Sequence, residues 1–348
     1  MSVRQILEYF DARRARGEPL VLATVYDTLG STYSKAGHRI LIADNGDYRG
    51  LVSGGCLEGD LAERSHAVLA NDSPAAVTYD LRDEVDEIWG LGVGCNGLLR
   101  VFLQPLRRER DYQPFTAIAR CLAGGEHAAI ATVVESGTGR IAAGATVISR
   151  AATHESWGLE PRDAERLAER ARAVLGGDAR VATEEGASVL YAPLKPIPKL
   201  LVLGAGLDAV PLVAMAAELG WFVTVADHRP AYLARGGFSR ADRALLVEPT
   251  ALADSLALDD FDAIVVMSHH LATDRKYLAQ LASVRAAYLG VLGPRPRRER
   301  LLAELADAAP ELRGRLKGPV GLDIGADSPE SIALSILAEL QTTLAARS

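Results

Sequence analysis

Cysteine is nearly absent: the 348-residue chain holds three, Cys56, Cys95 and Cys121. Three thiols do not build a disulfide framework, and they fall short of the roughly four thiolates that each iron–sulfur cluster takes. Cys56 and Cys95 stand 39 residues apart (95 − 56), with no CxxC spacing and no companion histidine pair, which argues against a structural zinc site. Lysine is scarce as well, supplying five of the 38 basic residues, and 45 acidic residues bring the net charge to −7. That balance argues against a general nucleic-acid binder. No apolar run approaches the ~20 residues that a membrane helix requires, so no membrane partner is expected. The opening stretch, MSVRQILEYFDARRARGE, is charged throughout and reads as an amphipathic helix rather than a signal peptide. Aromatic residues amount to 5%, yet hydrophobic residues make up 49% and charged residues 24%, the profile of a globular protein. We therefore expect a cytoplasmic protein with free thiols. At roughly 150 residues per domain its length predicts two domains.

The first half mixes strand and helix signals. LVLATVYD (20–27) and RILIAD (39–44) read as strands, NGD (45–47) as a hairpin turn, YRGLV as the returning strand and 57–70 as a helix. Further strands are expected at 98–106, 127–135 and 187–194, with helices near 113–124 and 161–175. KPIP (195–198) places two prolines in four residues and reads as a domain junction. Beyond it, strands at 199–203, 222–226, 243–247, 262–267 and 287–292 alternate with helices, the pattern of a parallel sheet. The expected fold is thus α/β overall: an N-terminal α+β domain over 1–195, then a Rossmann-like domain with a parallel sheet over 199–348. Ser328 and Pro329 open a long apolar C-terminal helix, which suits either pairing into a homodimer or packing on its own sheet.

LLVLGAGLDAVPLVAMAAELGWFVTVAD carries a dinucleotide-type fingerprint. Gly204 permits the tight turn after a strand, Gly206 lets the backbone approach a pyrophosphate at a helix N-terminus, and Ala209 takes the third glycine's place. Asp227, closing the next strand, is expected to hydrogen-bond ribose hydroxyls. Asp208 places a negative charge where phosphate would sit, and Arg229 follows Asp227 closely; both argue against simple NAD use. MSHHLATD puts Ser268, His269 and His270 at the carboxyl edge of the sheet, with one histidine expected to face the crevice. In GVLGPRPRRERLL, Gly293 and Arg295 are placed to contact an anion, whereas Arg297, Arg298 and Arg300 read as a solvated helix face.

SGGCLEGD (53–60) sets Ser53, Gly54, Gly55 and Cys56 before a helix N-terminus. Amides of Gly54, Gly55 and Cys56 converging on one spot make an anion nest, whose field favours a thiolate at Cys56. Glu58 in the first helical turn stabilises the helix but opposes an anion. Cys95 occupies a second glycine-rich loop, GLGVGCNG, while Cys121 has apolar neighbours at helical spacing and reads as a buried, inert thiol. GSTYSKAGHR (30–39) offers Ser31, Thr32, Lys35 and Arg39, a set suited to phosphate or a pterin edge and equally to an ordinary connection.

GSTYSKAGHRILI, GLVSGGCLEGDL and WGLGVGCNGLLRVFLQPL, followed by LGAGLDAVPLV, VADHRPAYL, MSHHLATD, GVLGPRPRRERLL and GPVGLDIGADSPESIALSILAE, resemble the XdhC/CoxI family. The match runs in order through both halves and leaves mainly 107–195 unspecific. The resemblance implies an accessory protein, not itself a xanthine dehydrogenase. Such a protein holds the molybdenum cofactor (molybdopterin) while a cysteine desulfurase helps supply its terminal sulfur. It then delivers the cofactor to a xanthine dehydrogenase-type molybdenum hydroxylase. Carried over by position, Cys56 and Cys95 would contact or guard the molybdenum centre, and the Rossmann half would hold the pterin phosphate or a nucleotide extension. The alternatives are an NAD(P)-dependent oxidoreductase, with His269 or His270 as acid or base, and a persulfide carrier on Cys56.

Overall fold

A computed structural model of the chain describes residues 2–82, 97–137, 139–305 and 309–346. It divides into two compact units, Met1–Pro196 and Ile197–Ser348.

The first unit holds two five-stranded antiparallel sheets. One has the order β3-β2-β1-β5-β4, formed by β1 (Leu20–Gly30), β2 (Arg39–Ala43), β3 (Tyr48–Arg49), β4 (Ala75–Asp80) and β5 (Gly97–Leu106). The central strand β1 is buried from Leu20 to Tyr26, because it lies between β2 and β5. Its alternate residues Val21, Ala23 and Val25 join Ile40, Ile42, Val101 and Leu103 beneath the apolar stripe Leu61, Val68 and Leu69 of α2 (Glu58–Asn71). Helix α1 (Val3–Ala15) carries a complete capping box, in which the Ser2 and Gln5 side chains each bond the other's backbone N–H. The expected returning strand YRGLV shortens to two residues. At Gly50 (φ +118°) a Cβ would collide with Ile40, and the chain then peels away into the loop that carries Cys56.

The second sheet, of order β8-β7-β6-β10-β9, comprises β6 (Ala128–Ser136), β7 (Thr146–Ser149), β8 (His154–Trp157), β9 (Arg180–Glu184) and β10 (Ala187–Leu194). Helix α4 (Pro161–Arg172) covers one face of it through Leu167, Ala168 and Ala171, while α3 (Phe115–Gly124) carries Cys121. Cys121 is buried, its thiol accepts from the Arg150 guanidinium at 3.3 Å, and burial pushes its pKa up.

The second unit is a six-stranded, all-parallel sheet of order β13-β12-β11-β14-β15-β16. Its strands are β11 (Lys199–Leu203), β12 (Phe222–Asp227), β13 (Arg243–Leu246), β14 (Ala263–Val266), β15 (Tyr288–Val291) and β16 (Leu316–Lys317). This order is that of the Rossmann fold, with its switch point between β11 and β14. On one face, α5 (Ala209–Glu218) and α11 (Pro329–Ala346) pack Leu212, Val213, Ile336 and Leu340 on Leu200 and Val202. The C-terminal helix therefore buries its apolar side on its own sheet. On the other face, α8 (Leu271–Leu281) and α9 (Arg295–Glu304) cover Leu201, Leu203, Ile264 and Val266. Short helices α6 (Pro230–Ala234), α7 (Leu252–Ser255) and α10 (Ala309–Arg313) fill the connections. Among the described residues no helix is long and apolar enough to cross a membrane.

Candidate functional site

In the first unit, Gly97, the 31–38 connection and the loop that carries Cys56 follow one another at one end of the sheet. Gly97, the first residue of β5, pairs with Gly30 at the end of β1, and its carbonyl accepts from Leu81. A Cβ on Gly97 would stand 2.5 Å from the Ser31 carbonyl and 2.8 Å from the Thr32 side chain, so the stem of the 82–97 connection lies against the start of the β1–β2 connection. That second connection touches the third: the Ser34 hydroxyl donates to the Leu51 carbonyl at 3.2 Å, and the Tyr33 ring lies 3.8 Å from the Cβ position of Gly54. Cys56, half-buried, sits on this third loop. Cys95 lies outside the described residues, and Gly97 two positions on marks where its loop rejoins the sheet.

Of the three amides expected to form an anion nest, that of Gly55 is taken by a carboxylate of the chain itself. Glu58 is buried, and its Oε1 accepts from the amides of Val52 (2.7 Å) and Ser53 (2.9 Å). Its Oε2 accepts from the Ser53 hydroxyl (2.6 Å) and the Gly55 amide (3.0 Å), while Ser53 Oγ accepts in turn from the Leu57 amide at 2.7 Å. The loop thus carries its own anion, and this fixes the path of the chain on either side of Cys56. The six-residue run SGGCLE, with serine and glutamate at its ends, was the available signal. Gly55 (φ +116°) has open space where a side chain would be, so the outer side of the loop remains accessible.

In the second unit the crevice above β11 and β14 is likewise self-filled. Gly204 (φ +127°) allows β11 to pass within contact of the Met267 carbonyl at the end of β14. Asp208 stands at the N-cap of α5, with its Oδ1 pressed against Gly206 and its Oδ2 2.7 Å from His269 Nε2. A carboxylate therefore stands at the N-terminus of α5, bonded to His269 and not to the amides of the helix's first turn. His269 reaches across from β14 in a left-handed conformation (φ +61°), whereas His270 turns back to its own helix, Nδ1 3.0 Å from Thr273 Oγ1.

Asp227, expected to face ribose, is engaged otherwise. It is fully buried and accepts from the Ala205 amide (2.7 Å), the Arg229 amide (2.9 Å), and Arg229 Nε and Nη2 (2.9 and 2.8 Å). The Arg229 guanidinium stacks 3.6 Å above the Tyr232 ring. The roles expected for the arginines of α9 are exchanged. Arg295 is exposed and pairs along the helix with Glu299, while Arg297 turns inward to buried Asp274 at 2.6 Å, its Cδ 2.5 Å from the Cβ position of Gly293. Asp274 also accepts from Ser268 Oγ, tying the ends of β14 and β15 together. Sequence reasoning missed this buried Ser268–Asp274–Arg297 chain because helical phase depends on where α9 begins.

Both buried carboxylates are held below their ordinary range. Burial raises the Glu58 value, but bonds from Ser53 and the Val52 amide outweigh it; for Asp227, burial is outweighed by Arg229 and the Ala205 amide. A carboxylate depressed in the folded state adds stability above its unfolded pKa, and that stability disappears as pH falls through the folded value. Stability is thus expected to hold down to about pH 5 and then to fall. Asp227→Asn removes one titrating group and flattens that acid limb, as urea midpoints measured from about pH 7 to 3 check. An equally steep limb in the variant contradicts the assignment.

The two units define a class: an α+β domain joined to a Rossmann domain, with glycine-rich loops organised by internal carboxylates. Comparison with known proteins places the chain within that class. Residues 13–80 match the XdhC and CoxI family, and residues 200–340 match the XdhC Rossmann domain. The chain is 31% identical over 340 residues to a probable xanthine dehydrogenase subunit of Bacillus subtilis, covering 96% of each. It is 21% identical over 339 residues to the "molybdenum cofactor insertion chaperone PaoD" of Escherichia coli, covering 97% of this chain and 87% of that one. A crystal structure from Bacillus halodurans, described as a xanthine dehydrogenase, shares the fold with a TM-score of 0.79 and 29% identity over 100% of this chain and 97% of its own. The chain belongs to the XdhC/CoxI family.

Proposed function

We propose that this protein is a maturation factor that binds the molybdenum cofactor and hands it to a xanthine dehydrogenase-type apo-enzyme in the cytoplasm. In this reading a cysteine desulfurase supplies the terminal sulfur while the cofactor is held. The observation that carries it is the Cys56 loop: a half-buried thiol on a loop braced by Glu58, touching the 31–38 connection and open on its outer side. The donor fits the cargo, since a cysteine sulfur suits a soft metal–sulfur centre. Cys95 is proposed as the second thiol toward that centre.

Two observations favour this over an NAD(P)-dependent oxidoreductase. Asp227 is engaged by Arg229, and the N-terminus of α5 carries the negative charge of Asp208. Xanthine oxidation by the chain itself is not proposed, since three cysteines do not supply the iron–sulfur ligands such chemistry uses. Molybdenum and pterin carried by wild type and by Cys56→Ala test the proposal.

A further inference from the structure

Arg39 opens β2, opposite Thr24 of β1. Because side chains alternate along a strand, it lies on the sheet face opposite Ile40 and Ile42, which point to α2. It is half-buried, and among the described residues it is the only partly buried arginine without an acceptor, an ion pair or a ring beneath it. Arg13 pairs with Glu18 and Asp47, Arg150 with Glu155, Arg166 with Asp163, and Arg297 with Asp274. Burial pushes the Arg39 guanidinium down to about 10, which leaves it charged at neutral pH.

An uncompensated charge withdrawn from water is unfavourable, and a fold retains one where something outside the fold completes it. The position is suited to that role. Arg39 follows the 31–38 connection, whose Ser34 reaches Leu51 and whose Tyr33 lies against Gly54, both next to the Cys56 loop. Glu58 takes the Val52, Ser53 and Gly55 amides of that loop, and Arg39 is the half-buried cation on this connection left without an acceptor, Lys35 being exposed.

We infer that Arg39 anchors a phosphate group of the ligand held at this end of the first unit. The inference rests on the proposed carrier function for its ligand class, a phosphate monoester of a pterin cofactor. A planar guanidinium grips phosphate through two parallel N–H bonds, which a lysine does not reproduce.

The test uses the full-length chain and inorganic phosphate as the probe, with sodium chloride matched in ionic strength as reference. In Arg39→Leu the ligand-free protein is expected to melt at a higher temperature than wild type, because an uncompensated charge has been removed. Its phosphate-dependent rise in Tm, beyond the general effect of the salt, is expected to vanish. Arg39→Lys is expected to fold as wild type does and to bind phosphate at least tenfold more weakly. A lower Tm or an unfolded chain for Arg39→Leu overturns the inference, as does an undiminished phosphate response in either variant. Cofactor content separates this result from the carrier reading. If wild type and Arg39→Leu carry pterin equally, Arg39 is no anchor and the carrier stands. If wild type carries no pterin while its phosphate response depends on Arg39, the anion site stands and the carrier falls.

Discussion

Glu58→Ala is expected to destabilise the first unit by about 3–5 kcal/mol. The side chain accepts four hydrogen bonds, from the amides of Val52, Ser53 and Gly55 and from the Ser53 hydroxyl. Each buried donor left without a partner costs about 1–3 kcal/mol. Gly55 and part of Ser53 regain water in the variant, which keeps the total below the sum of four full penalties. The first turn of α2 also loses a negative charge near its N-terminus, worth about 0.3–1 kcal/mol. Glu58→Gln keeps an oxygen acceptor but not the charge, so it is expected to lose less than Ala. Urea unfolding of the three proteins checks this. A loss below about 1 kcal/mol for Ala would show that the loop holds its shape without the carboxylate.

Gly204→Ala is expected to cost the second unit at least about 3 kcal/mol. Two independent penalties meet at this residue. Its φ of +127° is a conformation that L side chains rarely adopt, and a Cβ there would lie 2.5 Å from the Met267 carbonyl oxygen, 2.6 Å from its carbon and 2.8 Å from the Ser268 nitrogen. All three atoms are backbone at the end of β14, a strand paired on both sides, so the clash is relieved only by moving β11 and β14 apart. Gly55→Ala is the matched control. Its φ is +116°, but a Cβ meets nothing within 4 Å, so only the backbone strain of about 1–3 kcal/mol applies. Equal losses in the two variants would mean that the close approach at the switch point contributes nothing.

The Rossmann half was legible because its signals are local. A strand, two glycines, a helix and a strand ending in Asp227 lie within 199–227, and local pattern is what sequence displays. The first unit resisted because its neighbours are distant in the chain: β1 pairs with β5 in the register Leu20↔Leu106, and nothing in either strand announces the other. Strand β4 went unnoticed because it is an edge strand whose residues are mostly exposed or half-buried, with too little apolar content to stand out. At the site, residue types were readable but their engagements were not. Asp227 has the same local pattern whether it faces a ribose or a guanidinium; Arg229, two residues on, decides it. Glu58 was readable as a charge opposing an anion, and the structure makes it the anion. Arg295 and Arg297 exchanged roles because α9 starts at Arg295, a phase that directs Arg297 toward Asp274.

Cys56 and its braced loop are proposed to hold a molybdenum cofactor, and cofactor content is the decisive measurement. Wild type and Cys56→Ala are co-expressed with molybdopterin biosynthesis and purified without oxygen. Molybdenum is then measured by mass spectrometry and pterin as its fluorescent oxidation product. The account predicts near-stoichiometric molybdenum and pterin on wild type, and loss of both from a Cys56→Ala protein whose circular dichroism and Tm are unchanged. A folded wild type that carries neither, or a Cys56→Ala variant that carries both in full, would contradict it.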